Sequence, residues 1–244
     1  MKSILNFTIP DLIAACHKPG CPICRLQQEA VERYLKDLFE TRFHSPDIRT
    51  ILRGSKGFCK EHGWLASELG LGSTFGSAII YHDLLWTARD DLQKVKDSPS
   101  TKRPLSMVKR ILLRLGLRRV TATIADVPSR CPACIEREEA AQAALGVLAS
   151  GLKDAATHAA FRESAGLCLP HLYQALEMPP DAEAVQALVS ISSEKFETLR
   201  KRVTEFIREN EQKTPEQIRD VEKNFWPQVV GVISGYDLMS KEKG

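Results

Sequence analysis

One pattern of cysteine and histidine residues occurs twice in this 244-residue chain and constrains its fold more than any other feature. The motif C-P-x-C occupies residues 21–24 and 131–134, and C-x-x-H follows at 59–62 and 168–171. A longer match, R-x-S-x-G-[FL]-C-x-x-H, surrounds the later cysteine of each copy. Corresponding positions lie 109 or 110 residues apart. The sequence therefore predicts a duplication of about 110 residues.

Each copy supplies three thiols and one imidazole, a donor set that suits one tetrahedral Zn²⁺. The C-x-x-H spacing puts both side chains on one face at the start of a helix, where the N-terminus favours thiolates. The predicted ligands are Cys21, Cys24, Cys59, His62, Cys131, Cys134, Cys168 and His171. We expect two zinc ions per chain. An iron–sulfur cluster is the less favoured alternative, because clusters usually take four cysteines.

Other interpretations of these cysteines, and the pairing of the motifs, remain open. Two matched quartets argue against cysteines that are merely buried. A histidine at the same position in both copies argues against a disulfide framework, because a disulfide needs no imidazole. The spacing lets each quartet close within its own copy, and it equally lets the two C-P-x-C turns exchange partners. We expect closure within each copy, since each repeat then folds on its own metal. The seventh cysteine, Cys16, could be a spare thiol beside the first metal or a redox partner, but we expect it to be inert and either buried or partly exposed.

Apolar residues recur at helical spacing almost throughout, and no segment alternates as a strand does. The predicted helices cover residues 22–42, 46–54, 59–69, 74–96, 133–150, 155–163, 168–177, 182–212 and 215–234. In the fourth helix Ile79, Ile80, Leu84 and Leu85 are expected in the core. The sequence thus predicts an all-α chain of two tandem repeats, each clasped by one Cys₃His zinc site. The predicted domains are a first repeat over 1–97, a linker over 98–130 with a short amphipathic helix, and a second repeat over 131–244.

The linker is strongly basic. Between residues 102 and 119 it carries seven basic residues and no acid, whereas the whole chain has a net charge of only +3. The basic residues are Lys102, Arg103, Lys109, Arg110, Arg114, Arg118 and Arg119. One interpretation is an anionic partner, either nucleic acid or a membrane surface. We favour the other, a helix between the repeats whose basic face is solvated.

Several classes of protein are disfavoured. No run of 18 apolar residues occurs, so we expect no transmembrane segment. The stretch 13–16, Ile-Ala-Ala-Cys, resembles a lipoprotein cleavage site, but Pro10 and Asp11 interrupt the apolar segment that a signal peptide requires. Pro10 fits the first turn of a helix better, and we expect a cytoplasmic protein. The absence of H-E-x-x-H and of a complete phosphate-binding loop predicts that the chain is not an enzyme.

The duplicated C-P-x-C and G-[FL]-C-x-x-H halves resemble an uncharacterised prokaryotic family that is described only as a domain of unknown function. The resemblance covers both repeats, and it implies a cytoplasmic prokaryotic protein with no established activity. From the residues we expect a non-catalytic interaction or scaffold protein whose partner is a protein or a second copy of the chain. Two alternatives remain, a redox response of the C-P-x-C thiols and nucleic-acid binding through residues 102–119.

Overall fold

The computed structural model describes residues 6–68, 74–97, 129–178, 181–211 and 225–236. Within these ranges the chain forms ten α-helices and no strand, which confirms the all-α prediction for the described part. The helices are α1 (Ile9–Cys16), α2 (Pro22–Glu40), α3 (Pro46–Gly54), α4 (Lys60–Glu68), α5 (Thr74–Asp97), α6 (Pro132–Gly151), α7 (Ala155–Glu163), α8 (Leu169–Glu177), α9 (Ala182–Asn210) and α10 (Phe225–Ser234).

The starts of the helices follow from local capping chemistry. Helix α1 begins with a capping box in which Thr8 and Asp11 each bond to the other's backbone N–H. Pro10 lies in its first turn, as expected, where its missing N–H costs nothing. Helix α7 begins after Asp154, whose carboxylate accepts a hydrogen bond of 2.9 Å from the backbone N–H of Thr157.

The helices form two compact units, and each takes residues from both copies of the motif. The first unit contains residues 1–31 and 136–244, of which the ranges given above are described. Its core joins α1, the first turns of α2, and helices α6 to α9, with Leu12, Leu145 and Phe161 almost completely buried. This core surrounds Cys21, Cys24 and Cys168.

The second unit contains residues 32–135. Aromatic rings hold its helices together, since Phe39 of α2 lies 5.8 Å from the ring of Phe58 and 6.4 Å from that of Tyr81 on α5. Ile80 is buried as expected, but Leu85 is 71% exposed, so the prediction that it lies in the core is wrong. The buried side of α5 at this level carries Asp83 instead, which pairs with Arg49 and Arg53 of α3.

Compact units and sequence repeats therefore divide the chain differently. The boundaries 1–97, 98–130 and 131–244 refer to the repeats and stay a prediction. No helix in the described ranges is long and apolar enough to cross a membrane.

Candidate metal centres

The eight predicted ligands come together in two groups of four. Cys21, Cys24, Cys168 and His171 form the first group, called site 1, and all four are buried. Cys59, His62, Cys131 and Cys134 form the second group, called site 2, in which only His62 is fully buried. Each group combines the C-P-x-C of one copy with the C-x-x-H of the other. The expected closure within each copy is therefore wrong, and the two turns exchange partners.

In site 1 the ligand atoms lie at the N-termini of α2 and α8. The sulfur of Cys24 lies 3.7 Å from the sulfur of Cys168 and 3.4 Å from Nδ1 of His171. The same Nδ1 lies 3.6 Å from the sulfur of Cys21 and 3.2 Å from that of Cys168. One imidazole nitrogen thus faces all three sulfurs.

Site 2 repeats this arrangement at the N-termini of α4 and α6. The sulfurs of Cys59 and Cys134 are 3.7 Å apart, and Nδ1 of His62 lies 3.2 Å from the first and 3.3 Å from the second. Cys131 completes the group, with its sulfur 3.7 Å from the same nitrogen. The partial positive charge at all four helix starts acts in favour of thiolates.

The exchange has a physical cause in the length of α2. This helix has 19 residues and so runs about 28 Å away from Cys21 and Cys24. Phe58, which precedes Cys59, packs on Phe39 near the far end of α2. The aromatic contact therefore holds Cys59 near the far end of α2, within the unit that also contains Cys131 and Cys134.

The longer match around the C-x-x-H pairs is explained by one turn that occurs in both copies. Gly57 and Gly166 have φ angles of +96° and +78°, which a side chain rarely tolerates. The hydroxyl of Ser55 donates to the carbonyl of Gly57, and the hydroxyl of Ser164 accepts the N–H of Gly166. These bonds fix the turn that leads into each ligand pair.

Two contacts around site 1 were missed by the sequence reasoning. Nε2 of His171 lies 3.2 Å from Oε1 of Gln27, and the backbone N–H of Tyr236 donates to the sulfur of Cys24 at 3.4 Å. When Nδ1 faces a metal, Nε2 carries the proton and donates it to Gln27, as ligating histidines usually do. Gln27 lies three residues after Cys24, so the sequence puts both side chains on one face of α2, but it does not show that His171 meets that face. The sequence holds no comparable signal for Tyr236.

The pKa values of the thiols reflect how closely they are packed. Burial raises the pKa of Cys21, but hydrogen bonds from Cys168, Cys24 and His171 outweigh burial and lower it well below the usual value. Hydrogen bonds to its neighbours raise the pKa of Cys24, and the bond to Cys21 raises that of Cys168 to about 12. In site 2, burial raises the pKa of Cys134 to about 12. Binding of a divalent cation to all the sulfurs would therefore release protons.

Each of the two groups fits one tetrahedral metal ion. Zinc–sulfur bonds of about 2.3 Å at tetrahedral angles place two sulfurs about 3.8 Å apart. The sulfur–sulfur distances Cys24–Cys168 and Cys59–Cys134, both 3.7 Å, match this value, and all ligand atoms of a site lie within 4.8 Å of one another. Cys21, Cys24, Cys168 and His171 would hold one ion, and the residues of site 2 the other.

Cys16 belongs to neither group of four. Cys16 is buried in the core of the first unit, and burial raises its pKa to about 11, which agrees with a packed thiol. All seven cysteines are free of disulfides. The basic residues proposed to contact an anion, Lys102 to Arg119, lie outside the described ranges.

Comparison with known proteins identifies the family of the chain but assigns no activity to it. No curated protein matches the chain, and no solved structure matches it either. One family model does match, over residues 1–223, and the family is described as one of unknown function. This range contains all eight residues of the two sites, and the resemblance noted from the motifs is confirmed. Because the family model covers nearly the whole sequence, the chain belongs to this family of unknown function, DUF6062.

Proposed function

We propose that this chain is a non-catalytic zinc protein in which two structural Cys₃His sites stabilise a helical scaffold for a macromolecular partner. One observation carries the proposal: each site brings four protein ligand atoms to the spacing of a single tetrahedral shell. Such a shell leaves no coordination position for a substrate or a reactive water, which is the mark of structural zinc.

Zinc is favoured over an iron–sulfur cluster by the donor set and by its compactness. A cluster distributes its cysteines over several iron atoms, whereas three sulfurs here surround one imidazole nitrogen at 3.2–3.7 Å in both sites. Histidine at the same position in each group also suits zinc, which accepts mixed sulfur and nitrogen ligands.

The order of the helices supports the proposed duplication. Helices α2 to α5 begin at residues 22, 46, 60 and 74, and α6 to α9 begin at 132, 155, 169 and 182. The starts are thus 108–110 residues apart, as the motifs are. We infer that the two copies fold alike and that each contributes half of both metal sites.

A macromolecular partner is supported by the surface of the second unit. Large apolar side chains of α4 and α5 are more than half exposed, namely Trp64, Phe75, Leu85, Trp86 and Leu92. Contiguous exposed apolar patches mark contact surfaces, and we infer that these side chains contribute to such a surface.

The proposal is tested by the metal content of the purified chain and its response to chelation. We expect two zinc ions per chain by plasma mass spectrometry and no visible absorption band. Removal of zinc by a strong chelator should abolish most helical circular dichroism, because binding and folding are coupled. The Cys16→Ala variant is the matched control, since it loses a buried cysteine outside both sites and should retain both ions.

Other outcomes would contradict the proposal in distinct ways. Bound iron with a visible band would indicate clusters. A metal-free chain, or unchanged helical structure after complete zinc removal, would show that the sites do not stabilise the fold.

A further inference from the structure

The two sites have the same ligands and the same helix starts, but they differ in exposure. In site 1 the exposed fractions are 0% for Cys21, 3% for Cys24, 0% for Cys168 and 6% for His171. In site 2 the histidine is buried and its three cysteines are partly exposed. Because a reagent must reach a sulfur to react with it, this difference separates the two sites chemically.

Site 1 is covered by the end of the described chain. The backbone N–H of Tyr236 bonds to the sulfur of Cys24, and the Tyr236 ring packs over Gly20 and Gly231. The packing is close, since a methyl group at Gly231 would come within 2.5 Å of that ring. The ring and the turn that carries it therefore shield the C-P-x-C motif of site 1 from solvent.

The C-P-x-C motif of site 2 also lies at a helix N-terminus, but its cysteines are less buried. Cys131 precedes α6, Cys134 lies in its first turn, and the N–H of Cys134 donates to the carbonyl of Cys131 at 3.0 Å. The Cys-x-x-Cys spacing permits a disulfide between its two cysteines, and a helix N-terminus favours their thiolates. The two sulfurs also lie within 4.8 Å of each other.

We propose that Cys131 and Cys134 are a peroxide-sensitive modification site, whose oxidation to a disulfide releases zinc from site 2 while site 1 keeps its ion. The inference rests on the proposed zinc binding and adds which pair of thiolates reacts. It makes site 2 the responsive centre and site 1 the permanent one.

The reaction uses hydrogen peroxide as the oxidant. One thiolate attacks the peroxide O–O bond, which gives a sulfenic acid and a hydroxide ion. The second thiolate attacks that sulfenic sulfur and displaces another hydroxide, which closes the disulfide. Two thiolates together lose two electrons, and the peroxide gains them. Cys59 and His62 then remain as the only two ligands of the ion, too few to retain it.

The test follows zinc release from the full zinc-loaded chain during titration with hydrogen peroxide. A chromogenic zinc indicator reports the released metal, and peptide mass spectrometry identifies the disulfide. We expect one of the two ions to be released first, together with a Cys131–Cys134 disulfide. The variant C131S lacks the reactive pair and should start with one ion, which it keeps at the same dose. The matched variant C21S should also start with one ion and should release it.

The results separate this inference from the proposed function. A chain with two zinc ions that releases both together, or that forms a Cys21–Cys24 or Cys59–Cys134 disulfide first, would overturn the inference alone. A chain that contains no zinc before oxidation would overturn the proposed function. Disulfide mapping of the peroxide-treated chain without substitutions decides which pair of cysteines reacts, even if a variant does not fold.

Discussion

At the scale of single residues, the contact between Gln27 and His171 gives the sharpest prediction about site 1. The side-chain oxygen of Gln27 lies 3.2 Å from Nε2 and fixes the orientation of the ring. Removal of such a partner typically weakens metal binding about 10–100-fold. We expect this loss for Gln27→Leu, measured by chelator competition in a Cys59→Ser background, where site 1 alone binds zinc. Gln27→Glu retains an acceptor for Nε2 and should keep most of the affinity; an equal loss in both variants would contradict the assigned contact.

The residues of the two sites could be predicted from the sequence, but the contacts around them could not. The two groups in the structure contain the eight predicted residues, because the donor type and the local spacing of each pair are properties of short segments. Gln27 and Tyr236 were not predicted, since they meet His171 and Cys24 across 144 and 212 positions of sequence. Such contacts depend on the tertiary fold.

At the scale of elements, a cluster of charges joins α3 to α5. The Asp83 carboxylate is buried and accepts hydrogen bonds of 2.6 Å from Arg49 and 2.7 Å from Arg53. Bonds from Arg53 and Arg49 hold the pKa of Asp83 well below its ordinary value. The stabilisation is therefore fully present above the unfolded-state pKa of about 3.9, and it is lost as the pH falls through the lower folded-state pKa.

The neutral variant Asp83→Asn should imitate that loss at neutral pH, where the zinc sites remain intact. We expect the free energy of unfolding to fall by about 1–3 kcal/mol, because two arginines lose a charged acceptor. Asp90→Asn on the same helix is the matched control. The Asp90 carboxylate pairs with Lys94 on the surface, so its loss should change the free energy of unfolding little. Urea denaturation of both variants measures the difference, and equal effects would argue against a special role for Asp83.

Most helices were predictable from apolar spacing, because that pattern is local. Helix α3 has its predicted bounds, and α5 ends one residue beyond them. What spacing could not decide is which side of a helix is buried when both sides carry apolar groups. On α5 the ion pairs of Asp83 turn its carboxylate inward, and Leu85 faces outward.

At the scale of the whole molecule, the exchange of motifs decides how metal and fold are coupled. Site 1 joins Cys24 to Cys168 across 144 positions of sequence, and site 2 joins Cys59 to Cys134 across 75. Closure within each copy would have joined segments only about 35 residues apart. The cost of closing a loop grows with its length, so a metal ion that holds long loops closed contributes more to stability. The sequence could not choose between the two pairings, because both use the same C-P-x-C and C-x-x-H motifs with the same spacing inside each motif.

Double variants of the full chain distinguish the two pairings directly. Cys24→Ser with Cys168→Ser removes two ligands of site 1 and should leave one zinc ion per chain, bound in site 2. Cys24→Ser with Cys59→Ser removes one ligand from each site and should leave no tightly bound zinc. Both variants lose two cysteines, so they are matched in composition, and native mass spectrometry after dialysis against a chelator counts the ions. Closure within each copy requires the reverse result, because Cys24 and Cys59 would then share one site and Cys24 and Cys168 would not.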